Sequence, residues 1–172
     1  PMPSGKAGKL PKGFVQKENT ERRGRPQMGL RIIKNARSFV GMKINATHIS
    51  AVAVNAIGQI ITGCHDLEIE DTSPQTVVTL IKQLTIDCSD EAEMAGWPKP
   101  CAVGISLGGY VIDNAVVTFA PFMHWSQPVE LSAMVHEATG LPTGIYNDID
   151  SLVVDACLFG SGVGLDSFAV LT

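Results

Sequence analysis

An amide and a carboxylate stand side by side at Asn147 and Asp148, where one apolar segment ends and another begins. The segment Pro142 to Tyr146 is predicted to be a strand, and the apolar segment after the pair, which Gly160 ends, is predicted to be a helix. A polar pair at such a junction faces a cleft more often than a core, and in a cleft it can hydrogen-bond to a ligand. The alternative is structural, because Asp148 could cap the helix by accepting from its first free N–H groups.

Charge is divided unevenly along the chain. Residues 1 to 43 carry eleven Lys and Arg against two acidic residues, a balance of +9, whereas residues 44 to 172 carry two basic and fifteen acidic residues, a balance of −13. A basic arm on an acidic body is typical of a nucleic-acid contact attached to another domain, and the alternative is a solubilising or disordered tail. Arg22, Arg23 and Arg25 are candidates for phosphate contacts, or else the exposed tip of a hairpin.

Length and composition exclude several classes of protein. The chain has 172 residues and is 45% apolar, which suffices for one core and is too little for two large domains. It contains no run of eighteen apolar residues and no signal-like segment at its basic, Gly- and Pro-rich start, so we expect a soluble, cytoplasmic protein. The cysteines are far apart and form no CxxC pair, so we expect reduced structural thiols and no metal site; they are Cys64, Cys88, Cys101 and Cys157.

The hydrophobic pattern predicts the elements that position the Asn-Asp pair. Residues 1–12 are expected to be disordered, and residues 13–37 to form a hairpin and a linker. Alternation then predicts an antiparallel meander, with strands at 38–46, 47–55 and 58–69. A helix starts near Asp71 and runs to about Cys88, with the acidic residues 90–93 either continuing it or forming a loop. The remaining predictions are strands at 101–107 and 114–120, a loop at 121–125, a helix at 128–139, the strand and helix that flank the pair, and a last strand at 167–172.

This order predicts an α/β fold with a mixed sheet, an antiparallel three-stranded meander and helices on both faces, which matches one lobe of a ribonuclease H-like, actin-like ATPase fold. From Ser38 to Thr172 the chain also resembles the N-terminal lobe of the ROK family (repressor, open reading frame, kinase), which contains sugar kinases and sugar-responsive repressors. Four segments carry the resemblance: the meander Phe39 to Ile61, GISLGGYVIDN at 104–114, APFMHWSQPVEL at 120–131, and GLPTGIYNDIDSLVVDACLFGSG at 140–162. The stretch GFVQKENTERRGRPQMGLRI at 13–32 resembles the wing and linker that join a winged helix-turn-helix to the sugar domain of the family's regulators.

The resemblance implies that the phosphate-binding turn of the family's kinases is altered in this chain. Kinases of the family hold phosphate and Mg²⁺ with an Asp followed by a Gly-Gly-Thr turn, and here Lys43 reverses that charge. Asn45 and Ala46 place side chains where backbone N–H groups must approach phosphate oxygens, and only Thr47 keeps the pattern. ATP chemistry is therefore not expected, although a lysine can itself bind phosphate.

The resemblance also implies the residues that contact a ligand. Asp148 matches the base that accepts the proton of the attacked sugar hydroxyl in kinases, and Asn147 matches a neighbouring sugar contact. The glycine turn places Gly109 where backbone can approach a ligand closely or turn sharply. Two residues depart from the family pattern: Phe122 stands where many members carry an Asn sugar contact, and Gly108 replaces a common Pro. Phe122 could stack on a sugar face or fill the core, and core packing is favoured.

Together these residues predict part of a sugar-responsive transcriptional regulator, of the repressor type, that binds a sugar or sugar phosphate. The alternatives are one lobe of an ATP-dependent sugar kinase that uses Asp148 as its base, and a degenerate protein retained for dimerisation. The resemblance implies a fragment, in which 38–172 is the first lobe and both the second lobe and the upstream DNA-binding domain are missing. It further implies no cofactor in these residues, a zinc site in the second lobe, DNA as a partner and a homo-oligomer.

Overall fold

The computed structural model describes residues 15–19 and 28–170 of the chain. The described part contains nine strands, one 3-10 turn (Pro121–Met123) and three helices. The strands are β1 (Val15–Asn19), β2 (Met28–Ile32), β3 (Ser38–Ile44), β4 (His48–Asn55), β5 (His65–Glu68), β6 (Pro100–Leu107), β7 (Tyr110–Ile112), β8 (Val116–Phe119) and β9 (Thr143–Asn147). The helices are α1 (Pro74–Met94), α2 (Leu131–Thr139) and α3 (Asp148–Leu158).

A five-stranded mixed sheet in the order β5-β4-β3-β6-β9 forms the centre of the fold. Strands β3, β4 and β5 are the predicted antiparallel meander, while β6 pairs parallel to β3 and β9 pairs parallel to β6. Side chains alternate along β3 and β4, so that one face of the sheet is buried. The predicted α/β fold class, with its mixed sheet and meander, is confirmed.

Helices α1 and α2 pack on the buried face of the sheet and supply most of the core with it. Ile81 and Leu84 of α1 and Val135 of α2 are fully buried there, next to Ile105 and Ile145 of the sheet. Helix α3 starts at the end of β9 and extends over the opposite face, where Ser151 lines a cavity with residues of β3, β4 and β6. Helices therefore lie on both faces.

Strands β1 and β2 form the hairpin that the sequence predicts before the sheet. They pair antiparallel from Val15 with Ile32 to Asn19 with Met28. The hairpin tip with Arg22, Arg23 and Arg25, like the tail 1–12, lies outside the described residues.

Two predicted strands are wrong in extent, and for the first of them other contacts take the backbone groups. The strand predicted at 58–69 is reduced to β5, with only an isolated bridge from Ile60 to Val54. Between them the hydroxyl of Thr62 accepts from the Ala53 N–H at 2.8 Å, and Glu91 of α1 accepts from the Gly63 N–H at 2.8 Å. The last strand predicted at 167–172 is irregular over the described residues 167–170.

The strand predicted at 114–120 is the second arm of a small hairpin. Asp113 and Asn114 have φ angles of 53° and 54°, the left-handed pair that a tight hairpin turn requires, and β7 and β8 pair on either side of them. Helix α2 starts at Leu131 and not at 128, since Val129 exchanges backbone hydrogen bonds with Val117. Helix α1 continues through the acidic segment to Met94, which decides between the two alternatives left open by its sequence.

Candidate functional site

Three strands that run parallel end at the same edge of the sheet. Ile44 of β3 lies beside Leu107 of β6, and Leu107 lies beside Asn147 of β9. The turn after β3, the glycine pair after β6 and the Asn-Asp pair after β9 therefore meet. Ligands of open α/β sheets bind in the crevice at this edge.

Asn147 is the cap of α3, and the sequence-based prediction that Asp148 caps the helix is wrong. The Asn147 backbone is extended, and its Oδ1 accepts from the N–H groups of Ile149 at 2.8 Å and Asp150 at 3.3 Å. Its Nδ2 donates to the carbonyl oxygen of Gly109 at 2.8 Å. Because these bonds use most of the amide, Asn147 joins the start of α3 to the glycine turn.

Asp148 is the first residue of α3 and is half-buried. Its Oδ1 accepts from the Ile149 N–H at 3.0 Å. Its Oδ2 points over Gly108, where a Cβ placed on the glycine would lie 3.6 Å away, and accepts no hydrogen bond from any described residue. One oxygen is thus held by the helix while the other is available to a ligand.

A cavity of about 230 Å³ opens beside this oxygen. It is lined by the turn after β3, the glycine turn and the 3-10 turn, through Ile44, Asn45, Ala46, Leu107, Gly108, Phe122, Met123 and Asp148. Phe122 is 66% exposed, so the favoured expectation that it fills the core is wrong. Its ring lies against Gly108: a Cβ placed on that glycine would lie 3.6 Å from the Phe122 Cδ2 atom, as it does from Oδ2 of Asp148.

The two glycines of the turn have different places. Gly108 lines the cavity, where its lack of a side chain leaves the space between Asp148 and Phe122 open. Gly109 does not line it: a Cβ there would lie 2.5 Å from the backbone oxygen of Phe119, so this glycine allows the turn before β7 to pass close to β8. The sequence singles out Gly109 for backbone approach and treats Gly108 only as a departure from the family pattern. The Gly-Gly pair in the sequence indicates a close backbone approach, but it does not indicate which of the two glycines faces the cavity.

The turn after β3 presents side chains to the cavity. Asn45 and Ala46 are exposed and line it, and the Asn45 N–H donates to the His48 carbonyl at 2.9 Å, which closes the turn. Lys43 points to the other face of the sheet, beside Ser50 and Ser106, and lines a separate cavity of about 390 Å³. The lysine therefore stands apart from the Asp148 cavity.

Titratable groups with shifted pKa values lie elsewhere. Hydrogen bonds from the Gly63 N–H and from His65 lower the pKa of Glu91, and burial raises the pKa of the Cys88 thiol to about 11. Within the described ranges, no cluster of three or more His, Cys, Asp or Glu side chains could hold a metal ion, and no helix is long and apolar enough to cross a bilayer.

The family model of the ROK family matches residues 39–172. The chain belongs to the ROK family. This ROK chain is 30% identical to a ROK family glucokinase from Streptomyces griseus solved with glucose and AMPPNP, over 74% of the chain and with a TM-score of 0.63. It also shares its fold with a ROK family transcriptional regulator, a homologue of the E. coli MLC protein, at 19% identity over 87% of the chain and a TM-score of 0.68.

A third structure with this fold is an inorganic polyphosphate/ATP-glucomannokinase from an Arthrobacter strain, at 21% identity over 75% of the chain and a TM-score of 0.62. The chain spans 38% of the glucokinase, 39% of the regulator and 51% of the glucomannokinase. No curated protein matches the chain in sequence. The predicted family and the actin-like fold are confirmed, and the relatives include both kinases and a regulator.

Proposed function

We propose that this ROK chain is part of a sugar-responsive transcriptional regulator of the repressor type, which binds a sugar or sugar phosphate at the Asp148 cavity. One observation carries the proposal. The cavity combines a carboxylate oxygen that is free to accept from a sugar hydroxyl with a β3–β4 turn that has Asn45 and Ala46 where the family's kinases have glycines.

Phosphoryl transfer requires Mg²⁺ and donors that approach phosphate oxygens, together with a base for the attacking hydroxyl. Asp148 supplies the base, but Asn45 and Ala46 extend side chains into the cavity where a glycine turn would expose its N–H groups. Lys43 holds a positive charge at the strand position where the family's kinases carry an aspartate, and it faces away from the cavity. Hydrogen bonding to a sugar survives these changes, whereas metal-assisted transfer does not.

The β1–β2 hairpin supports the regulator reading. Residues 39–172 are 134 of the 172 residues, or 78% of the chain, whereas the regulator structure aligns over 87%. The alignment therefore includes residues before Phe39, where the hairpin lies. The glucokinase and glucomannokinase structures align over 74% and 75% of the chain, which residues 39–172 can supply without the hairpin. We propose that this hairpin is the wing of a winged helix-turn-helix, with Arg22, Arg23 and Arg25 as phosphate contacts.

Helix α3 supports a two-lobed cleft. Apart from Ser151 and three aspartates its residues are apolar, which is typical of a helix with a covered face. None of its residues is buried, and the exposed fractions of Val154, Leu158 and Phe159 are 54%, 61% and 63%. We propose that a second lobe packs against α3, completes the ligand site from the opposite side and carries a zinc site. We further propose a cytoplasmic homo-oligomer.

A sugar kinase is the second candidate. It is favoured by the 30% identity to the glucokinase and by the unpaired Asp148 oxygen, which is where a base would receive the proton of a sugar hydroxyl. In that case Asp148 is the catalytic residue and the β3–β4 turn binds ATP by contacts other than a glycine cradle.

The full-length protein that contains this chain distinguishes the two. We expect sugar binding by calorimetry, a change in operator DNA affinity when sugar is added, and no ATP-dependent sugar phosphorylation. Asp148→Asn should weaken sugar binding, while the control Asp150→Asn, which changes an exposed carboxylate two residues further along α3 that does not line the cavity, should not. Phosphorylation that Asp148→Asn abolishes and Asp150→Asn leaves intact would establish the kinase instead. Absence of any sugar ligand would leave the dimerisation role.

A further inference from the structure

Phe122 is a large aromatic side chain that the fold holds in solvent. It is the middle residue of the 3-10 turn and is 66% exposed, whereas Met123 next to it is 2% exposed. Trp125 is also buried, and its indole N–H donates to the Thr72 carbonyl at 2.6 Å. Ala120 and Trp125 exchange backbone hydrogen bonds of 3.1 and 3.2 Å, which close the loop. The loop is therefore anchored on both sides of a ring that is mostly exposed and lies outside the core.

We infer that Phe122 is the stacking platform for an unphosphorylated sugar, whose ring lies on the phenyl face while one hydroxyl donates to Oδ2 of Asp148. The inference rests on the proposed function and names the ligand class of the same cavity. It makes Phe122 a residue that determines specificity, at the position where many family members have an amide.

The two groups both lie close to Gly108, within reach of a single sugar ring. Asp148 Oδ2 and Phe122 Cδ2 each lie 3.6 Å from the Cβ position of Gly108, so they are at most about 7 Å apart. The space between them is open because Gly108 has no side chain. A sugar offers both surfaces that this pair can bind: C–H groups on its ring face for the aromatic ring and hydroxyl donors on its edge for the carboxylate.

The charges of the cavity favour a neutral ligand over a sugar phosphate. Asp148 is the single ionisable side chain among the described residues that line it, and it is an anion. Lys43 lines the other cavity. A helix N-terminus can bind phosphate through its free N–H groups, but in α3 the oxygens of Asn147 and Asp148 already accept from Ile149 and Asp150. A phosphate here would meet a carboxylate without a compensating donor from this lobe.

Calorimetry on the full-length protein tests the inference with matched ligands and variants. The ligands are D-glucose and N-acetyl-D-glucosamine, each compared with its 6-phosphate. We expect the tighter-binding of the two free sugars to bind at least about tenfold more tightly than its 6-phosphate, since the Asp148 carboxylate would repel the phosphate group. Phe122→Leu should weaken binding of that sugar by about tenfold, and Phe122→Tyr, which keeps the ring, should stay within about twofold. Because Phe122 is exposed, both variants should fold like the parent protein.

Each outcome has one meaning. Tighter binding of a 6-phosphate, or unchanged affinity in Phe122→Leu, overturns the inference and leaves the sugar sensor intact. Failure of all four ligands to bind refutes the sugar sensor itself for these sugars, and with it the inference. Saturation-transfer NMR gives an independent readout, because stacking requires transfer to the C–H protons of one ring face, and that transfer should be lost in Phe122→Leu.

Discussion

Replacing Asn147 by alanine should lower the free energy of unfolding by about 2 kcal/mol. The estimate has two parts. Loss of the helix cap that accepts from Ile149 and Asp150 costs about 1 kcal/mol. Loss of the Nδ2 bond to the Gly109 carbonyl costs about 1 kcal/mol more. For a chain of this length, 2 kcal/mol corresponds to a fall in Tm of roughly 4–8 °C.

A series at this position separates the two contributions. Asn147→Ser keeps a capping oxygen but loses the donor to Gly109, so it should cost about half as much as alanine. Asn147→Asp also caps, but it turns a carboxylate oxygen toward the Gly109 carbonyl, so it should be less stable than serine. Both substitutions release the glycine turn from α3 and should weaken sugar binding at Asp148. Urea unfolding followed by the fluorescence of Trp97 and Trp125 gives the free energies, and calorimetry gives the affinity.

Equal destabilisation by alanine and serine would refute the assignment of Asn147 as the cap. A loss below about 0.5 kcal/mol in the alanine variant would show that neither interaction contributes. If serine restored full ligand affinity, the bond to Gly109 would have no part in positioning Asp148.

The other predictions concern positions around and beneath the cavity. Gly109→Ala should destabilise the fold by about 1–3 kcal/mol in urea unfolding, because its Cβ would lie 2.5 Å from the Phe119 backbone oxygen. In Gly108→Ala the new Cβ would lie 3.6 Å from its nearest neighbours. That variant should keep its stability within about 0.5 kcal/mol and still bind sugar more weakly. Cys88 should resist Ellman's reagent at pH 8 while exposed Cys64 and Cys157 react, and early labelling of Cys88 would contradict this. Its folded pKa of about 11 exceeds the value of 9.0 usual for a thiol, so its contribution to stability is complete below pH 9 and is lost as the pH rises toward 11. The pKa of Glu91 is lowered in the fold, so the contribution of its carboxylate to stability is present above about pH 4.5 and is lost on further acidification. Glu91→Gln should flatten that part of the pH–stability curve. An unchanged curve would exclude the Gly63 and His65 contacts as the cause of the pH dependence.

Elements with strong local signals were predictable from the sequence. The alternation in Ser38–Ile44 and His48–Asn55 predicted two strands of the meander because one face of each is buried. The segment Asp71-Thr72-Ser73-Pro74, with a capping residue and an early proline, predicted the start of α1, which is capped by Ser73 and begins at Pro74. The hairpin β7–β8 is not among the predicted elements although Asp113-Asn114 is a turn signal, because β7 has only three residues, too few for a strand pattern.

The limits of β5 and α2 were not predictable from local pattern. Thr62 and Glu91 take the hydrogen bonds that would have extended β5, and Glu91 lies 28 residues from Gly63. Val129 pairs with Val117 and so delays the start of α2. These partners lie 9 to 28 residues apart and meet only in the folded chain.

The sequence by itself determined that an amide and a carboxylate stand between a strand and a helix, because strand and helix periods and the helix stop are local properties of the chain. It also carried the four segments that identify the ROK family. Tertiary structure decided what the atoms of the pair do. Asn147 caps α3 because its amide also reaches Gly109, 38 residues away, and Asp148 keeps one oxygen free because Gly108 leaves open space toward Phe122. Those contacts join the ends of separate strands, and no local pattern encodes how such ends meet.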